Sequence, residues 1–203
     1  MRKTPPHTMI INITGIDGCG KTTQVDLLSQ CLRAIDREVF VSKAFGYREK
    51  AVYSELIPQF EPVALMFLFQ ALHVQQRVTA LKAESEGRIV VSDRWDDSYL
   101  AYHRKFGILS RNESLRTELN KLAFDSRKAD LTFLLDVSPQ QAEERMGRRG
   151  RSFLDNQPLD HFETIRNSFL ELAKEEGWVV LNGAEGSLSL SGQIFSRVKT
   201  LLV

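Results

Sequence analysis

The stretch Gly15-Ile16-Asp17-Gly18-Cys19-Gly20-Lys21-Thr22 constrains this chain more than any other. It satisfies G-x-x-x-x-G-K-[ST] at every fixed position. Glycines let a backbone curl tightly, so that successive N–H groups point inward as an anion nest. At this spacing the Lys21 ammonium reaches the outer phosphates of a nucleotide and the Thr22 hydroxyl is placed to hold Mg²⁺. A helix starting near Gly20 adds the positive end of its dipole. The nucleotide-binding candidates are therefore Gly15, Ile16, Asp17, Gly18, Cys19, Gly20, Lys21, Thr22 and Thr23.

The flanks fit the pattern. Residues 9–14 form a short β-branched run suited to a buried strand, and residues 22–36 read as a helix with Val25, Leu28 and Leu32 on one stripe. The competing reading, a glycine-rich turn that happens to contain Lys-Thr, does not explain that order of strand, loop and helix.

Further strands are expected at 38–43, 88–93, 130–137 and 178–181. Helices are expected at 53–57, 62–86, 95–105, 113–126, from Pro139 to near Gly147, at 158–176 and at 187–202. The strands are short, apolar on both faces and alternate with helices. This predicts an α/β fold of the P-loop NTPase type, a three-layer α/β/α sandwich around a five-stranded parallel sheet. Ligands of such sheets bind at the carboxyl ends of the strands.

At 203 residues the chain suits one domain. Residues 1–8 are expected to be a flexible lead-in, 9–203 a single domain, and a region near 147–157 a mobile lid. A net charge of +1 argues against a dedicated nucleic-acid surface. Cys19 and Cys31 cannot build a disulfide framework, which favours reduced thiols and a cytoplasmic protein. No apolar run reaches membrane-spanning length.

Asp93 ends an apolar strand, where a carboxylate can organise Mg²⁺, so Thr22 and Asp93 are the metal candidates. Asp136 also ends a strand, but Ser138-Pro139 after it reads as a helix start. Arg94 could bridge two phosphates; its alternative is a surface pair with Asp96 or Asp97. Arg145 to Arg151 is the densest positive cluster, with glycines for mobility, and suits a closing lid that brings Arg148, Arg149 or Arg151 onto phosphates. Its alternative is a solvated basic loop.

Three segments resemble the thymidylate kinase family of P-loop nucleoside monophosphate kinases. Residues 15–24 look like G-x-D-G-x-G-K-[ST]-T-Q, residues 92–102 like D-R-[YF]-x-x-S-x-x-A-Y, and residues 130–139 like D-L-T-x-x-L-D-x-x-P. The resemblance implies transfer of the γ-phosphoryl of ATP, with Mg²⁺, to a nucleoside monophosphate, with dTMP the usual acceptor, and usually a homodimer. It implies Lys21 and Thr22 at the donor, Asp17 near Mg²⁺ and the acceptor, and Asp93 and Arg94 between the two phosphates. Ser98 and Tyr102 would face the acceptor's base and sugar, the tyrosine favouring deoxyribose. Family members without an arginine in the phosphate loop carry it in the lid. The catalytic candidates are thus Lys21, Asp17, Asp93, Arg94, Arg148, Arg149 and Arg151.

The acceptor half diverges. The family's R-E-P-G-G-T stretch is replaced by Lys43-Ala44-Phe45-Gly46-Tyr47-Arg48, and its F-x-x-D-R by a stretch around Phe67-Leu68-Phe69-Gln70-Ala71-Leu72-His73. Phe45, Phe69, Gln70 and His73 join Asp17, Arg94, Ser98 and Tyr102 as acceptor-site candidates, with Arg77 another possible replacement for the family's arginine. Two other functions stay open at this point: a same-fold kinase acting on another nucleoside, deoxynucleotide or small acceptor, and a non-catalytic nucleotide-binding protein.

Overall fold

The computed structural model describes residues 8–43, 57–149 and 157–202. The strands are β1 Ile10–Thr14, β2 Val39–Lys43, β3 Ile89–Asp93, β4 Leu131–Asp136 and β5 Val179–Asn182. They form one sheet in the order β2-β3-β1-β4-β5, and every pairing is parallel. The helices are α1 Lys21–Arg33, α2 Pro62–Ser85, α3 Asp96–Lys105, α4 Glu113–Phe124, α5 Pro139–Arg149, α6 Leu159–Glu176 and α7 Ser187–Lys199. Short 3₁₀ turns lie at Ile57–Gln59 and Ile108–Arg111.

Strand alternation sends neighbouring residues of β1 to opposite faces, and this builds the layers. Ile10 and Val90 pack with Met66, Trp95, Tyr99 and Phe124 from α2, α4 and the start of α3. Ile11, Ile13 and Val91 belong to the larger cluster that includes Val25, Leu28 and Leu32 of α1 and Leu190, Ile194 and Val198 of α7. All five residues of β1 are buried, as the central strand of a covered parallel sheet requires. Each fully buried side chain of this size contributes about 1.5–3 kcal/mol.

Register aligns the carboxyl ends along one edge. Ile13 pairs with Asp93, Lys43 with Asp93, and Asp136 with Asn182. The phosphate loop leaves that edge from Thr14 in the centre. Gly15 (φ 136°) and Gly18 (φ 83°) show why the loop is glycine-rich. A Cβ on Gly15 would meet the Leu135 carbonyl oxygen at 2.7 Å, and one on Gly18 would meet the Ala142 carbonyl oxygen at 2.4 Å.

Several boundaries differ from the sequence expectation. α1 ends at Arg33, short of Asp36, which takes a left-handed φ of 57°. α4 ends at Phe124 because Asp125 and Ser126 are both left-handed, with φ of 50° and 55°. The helix expected to stop near Gly147 continues to Arg149, so Arg148 and Arg149 belong to its last turn rather than to a following loop. A mid-helix glycine costs only about 1 kcal/mol, and arginines favour a helix C-terminus. The start of that helix was well signalled. Gln141 N–H donates to Ser138 Oγ at 3.2 Å and Ser138 N–H donates to Gln141 Oε1 at 3.3 Å, a reciprocal cap. Residues 1–7 of the lead-in, residues 53–56 of the helix expected over 53–57 and residues 150–156 of the expected lid lie outside the described residues, and Ile57 opens a 3₁₀ turn.

Candidate active site

Lys21 is buried at 7% exposure. Its Nζ donates to the carbonyls of Gly15 (3.2 Å) and Ile16 (2.9 Å) and lies 3.6 Å from Asp17 Oδ1. The ammonium is thus threaded through the loop that carries it. One residue on, Thr22 Oγ1 donates to Asp93 Oδ2 at 2.8 Å. Strand β3 therefore delivers its terminal carboxylate to the first turn of α1. Hard oxygens from a hydroxyl and a carboxylate suit Mg²⁺, which keeps most of its waters and takes one or two protein ligands beside phosphate oxygens.

A second group of side chains gathers on Asp17. Arg94 Nη2 donates to Asp17 Oδ1 at 2.7 Å, and Tyr102 OH donates to Asp17 Oδ2 at 3.3 Å. The guanidinium carbon lies 5.9 Å from the centre of the Tyr102 ring, within cation–π range. Arg94 Nη1 donates to Ser98 Oγ at 2.9 Å, and Ser98 Oγ donates onward to Asp97 Oδ2 at 3.0 Å. Asp97 is completely buried and also accepts from Asn12 Nδ2 (2.6 Å), Trp95 N–H (2.7 Å) and Thr14 Oγ1. Arg94 therefore pairs with Asp17, and neither Asp96 nor Asp97 is its salt-bridge partner. Burial would lower its pKa, but the carboxylates of Asp17 and Asp93 outweigh this and hold it above its ordinary value. Burial, reinforced by Asp17, pushes the Tyr102 phenol up, so it stays a donor at neutral pH.

The structure brings together Asp17, Lys21, Thr22, Asp93, Arg94, Ser98 and Tyr102. Asp136, the competing strand-end acid, is committed elsewhere: Arg166 grips both its oxygens, at 2.6 and 2.9 Å. Gln70 and His73 turn toward α4. Gln70 Nε2 donates to the Leu119 carbonyl, and the His73 ring packs 5.3 Å from Phe124. Burial pushes His73 down to about 4, so it is neutral at pH 7. Arg77 Nη1 lies 4.0 Å from Asp125 Oδ2, beyond the end of α4. Phe69 is half-buried on α2. Cys19 and Cys31 are free thiols. Phe45 and Arg151 lie outside the described residues.

Sequence reasoning missed three residues that complete this geometry. In the sequence Asp97 figures only as an alternative surface partner of Arg94, and Gln76 is not singled out. Arg145 lay inside the basic segment, yet its guanidinium bridges the Cys19 carbonyl (3.2 Å) and the Gly183 carbonyl (2.9 Å), tying α5 to the phosphate loop.

The family model described as thymidylate kinase matches residues 13–193, nearly the whole of the fold that carries this site. The chain belongs to the thymidylate kinase family. It is 30% identical over 196 residues to the thymidylate kinase of Coprothermobacter proteolyticus, covering 94% of this chain and 99% of that one. It is 32% identical over 187 residues to the thymidylate kinase of Fervidobacterium nodosum, covering 86% and 90% of the two chains. It is 35% identical over 177 residues to a probable thymidylate kinase of Archaeoglobus fulgidus, covering 85% and 86%. In this member of the family Thr14, not an acid, precedes the phosphate loop, and its hydroxyl donates to Asp97. No helix among the described residues is long and apolar enough to cross a membrane.

Proposed function

We propose that the chain transfers the γ-phosphoryl group of ATP to the phosphate of dTMP, giving ADP and dTDP. The observation that carries this reading is the convergence of Lys21, Asp93, Arg94, Asp17 and Tyr102 on one corner of the sheet, within a chain of the thymidylate kinase family.

Phosphoryl transfer asks a protein mainly for positioning and for positive charge on the moving group. Lys21 supplies a charge at the β- and γ-phosphates. Arg94, held protonated, supplies another between donor and acceptor. Mg²⁺, when bound at Thr22 and Asp93, would neutralise charge on the same phosphates. Asp17 aims Arg94 and Tyr102, and Tyr102 closes the sugar side of the acceptor pocket against a 2′-hydroxyl. Ser98 steadies Arg94. Phe45 and Phe69 cover the base. Arg148, Arg149 and Arg151 bring the lid's charge onto the phosphates and help to exclude water.

The active form is a homodimer joined through α2. Phe60, Val63, Phe67 and Val78 recur at helical spacing and are 40–58% exposed. No residue from Pro62 to Gln76 is charged, so this stripe is self-complementary under a two-fold axis.

The test is an acceptor panel of dTMP, dUMP, dCMP and dGMP with Mg²⁺ and ATP, reading ADP formation. The expected result is the highest kcat/KM for dTMP. A different best acceptor would reassign the substrate, and no turnover with any of them would overturn the reading.

A further inference from the structure

Arg94 has a left-handed backbone, with φ 72°. For a residue other than glycine this costs about 1–3 kcal/mol and persists only where the surroundings over-determine it. Here the surroundings do. The Arg94 N–H donates to the Ile13 carbonyl at 3.2 Å. Its own carbonyl accepts twice, from Ser92 Oγ at 2.6 Å and from Gln76 Nε2 at 2.8 Å. The same Gln76 nitrogen donates to Ser92 Oγ at 3.0 Å, which directs the serine hydrogen at the Arg94 carbonyl. Both amide hydrogens of Gln76 are thus spent on this turn. Two facing carbonyl oxygens would repel, so only the nitrogen end of the amide can face Arg94. Gln76 is 3% exposed and Ser92 is fully buried, so water does not compete.

The far end of Arg94 is pinned by Asp17 and Ser98. The near end is pinned only by the backbone clamp. We propose that Gln76 is a positioning residue for phosphoryl transfer, acting by holding the Arg94 carbonyl toward α2 so that the guanidinium faces Asp17; this rests on the phosphotransfer reading above. Gln76 touches no reacting group. Its effect on the reaction passes through Arg94.

Gln76→Leu keeps the side chain's size and removes both donors. With dTMP as acceptor, kcat should fall about 10- to 100-fold, the scale set by misplacing a catalytic group by an ångström. KM for ATP should stay within about twofold, because Lys21 and the phosphate loop are untouched. Added to Arg94→Ala, the same change should alter kcat by less than about twofold, since nothing remains to position. An unchanged kcat, or equal losses in both backgrounds, would overturn the inference. Ser92→Ala removes the other donor with a smaller packing change and should lower kcat in the same direction, so a poorly folding Gln76→Leu still leaves a decisive variant. A crystal structure of either variant reads the clamp without activity. Arg94 should leave the left-handed region and release Asp17; an Arg94 that keeps both would overturn the inference even if the wild-type protein turned over no monophosphate, whereas that lack of turnover would overturn the phosphotransfer reading.

Discussion

Arg94 and Asp17 meet at 2.7 Å although 77 positions separate them in the chain. One comes from the turn after β3, the other from the tip of the phosphate loop. Their pairing joins the phosphate loop to the turn after β3. It also compensates the charge of a partly buried guanidinium. Tyr102 occupies the second oxygen of the same carboxylate, so a single acid orients both a cation and a phenol.

Lys21→Ala should lower kcat about 10²- to 10³-fold, the range for removing one electrostatic contact to a transition state. The folded state should survive, because the contacts of the ammonium among the described residues all lie within its own loop: the Gly15 and Ile16 carbonyls, the Cys19 sulfur and Asp17. Turnover measured beside a melting curve checks both points.

Tyr102→Ala should relax the preference for deoxyribose. The ring is fixed by its bond to Asp17 and by Phe169, 6.4 Å away between ring centres. Truncation opens room for a 2′-hydroxyl. The ratio of kcat/KM for dTMP over its ribose counterpart should fall about tenfold. An unchanged ratio would place the sugar elsewhere.

Asp96 should make stability depend on pH. Burial pushes its carboxyl up to about 7, with Asp97 and Glu176 adding in the same direction and Lys128 opposing. The folded value lies above the unfolded one, so the folded chain binds the extra proton between about pH 4 and pH 7. The stability from this group is full below about pH 4 and is lost as pH rises through about 7. Asp96→Asn stays neutral throughout. Its melting temperature should exceed the wild type by about 3–6 °C at pH 8.5 and match it at pH 4.

The unpartnered face of α2 predicts the effect of Phe67→Asp. Phe67 is 58% exposed, so the charge should leave the monomer fold intact and shift sedimentation toward the monomer mass. An unchanged dimer would place the interface on another face.

The grouping of the phosphate loop with Asp93 was legible in the sequence because its pattern is local. Glycines, Lys21 and Thr22 keep a fixed backbone spacing at the start of α1, and an apolar run before Asp93 marks a strand end. The five parallel strands followed from their alternation with helices. The partner of Arg94 was not legible, since Asp96 and Asp97 are nearer in the chain than Asp17 and only the fold brings Asp17 close. Gln70 and His73 pointed the same lesson. Their helical spacing was right, but whether that face meets ligand or α4 depends on how two helices pack. Gly147 misled because a glycine stops a helix only where the chain must turn, and here it does not.

The most direct measurement is product stoichiometry. Purified protein with Mg²⁺, ATP and dTMP is resolved by anion-exchange chromatography. The account predicts ADP and dTDP appearing together, one to one, with no ADP formed when dTMP is withheld. ADP released at the same rate without dTMP, or no dTDP at all, would contradict it.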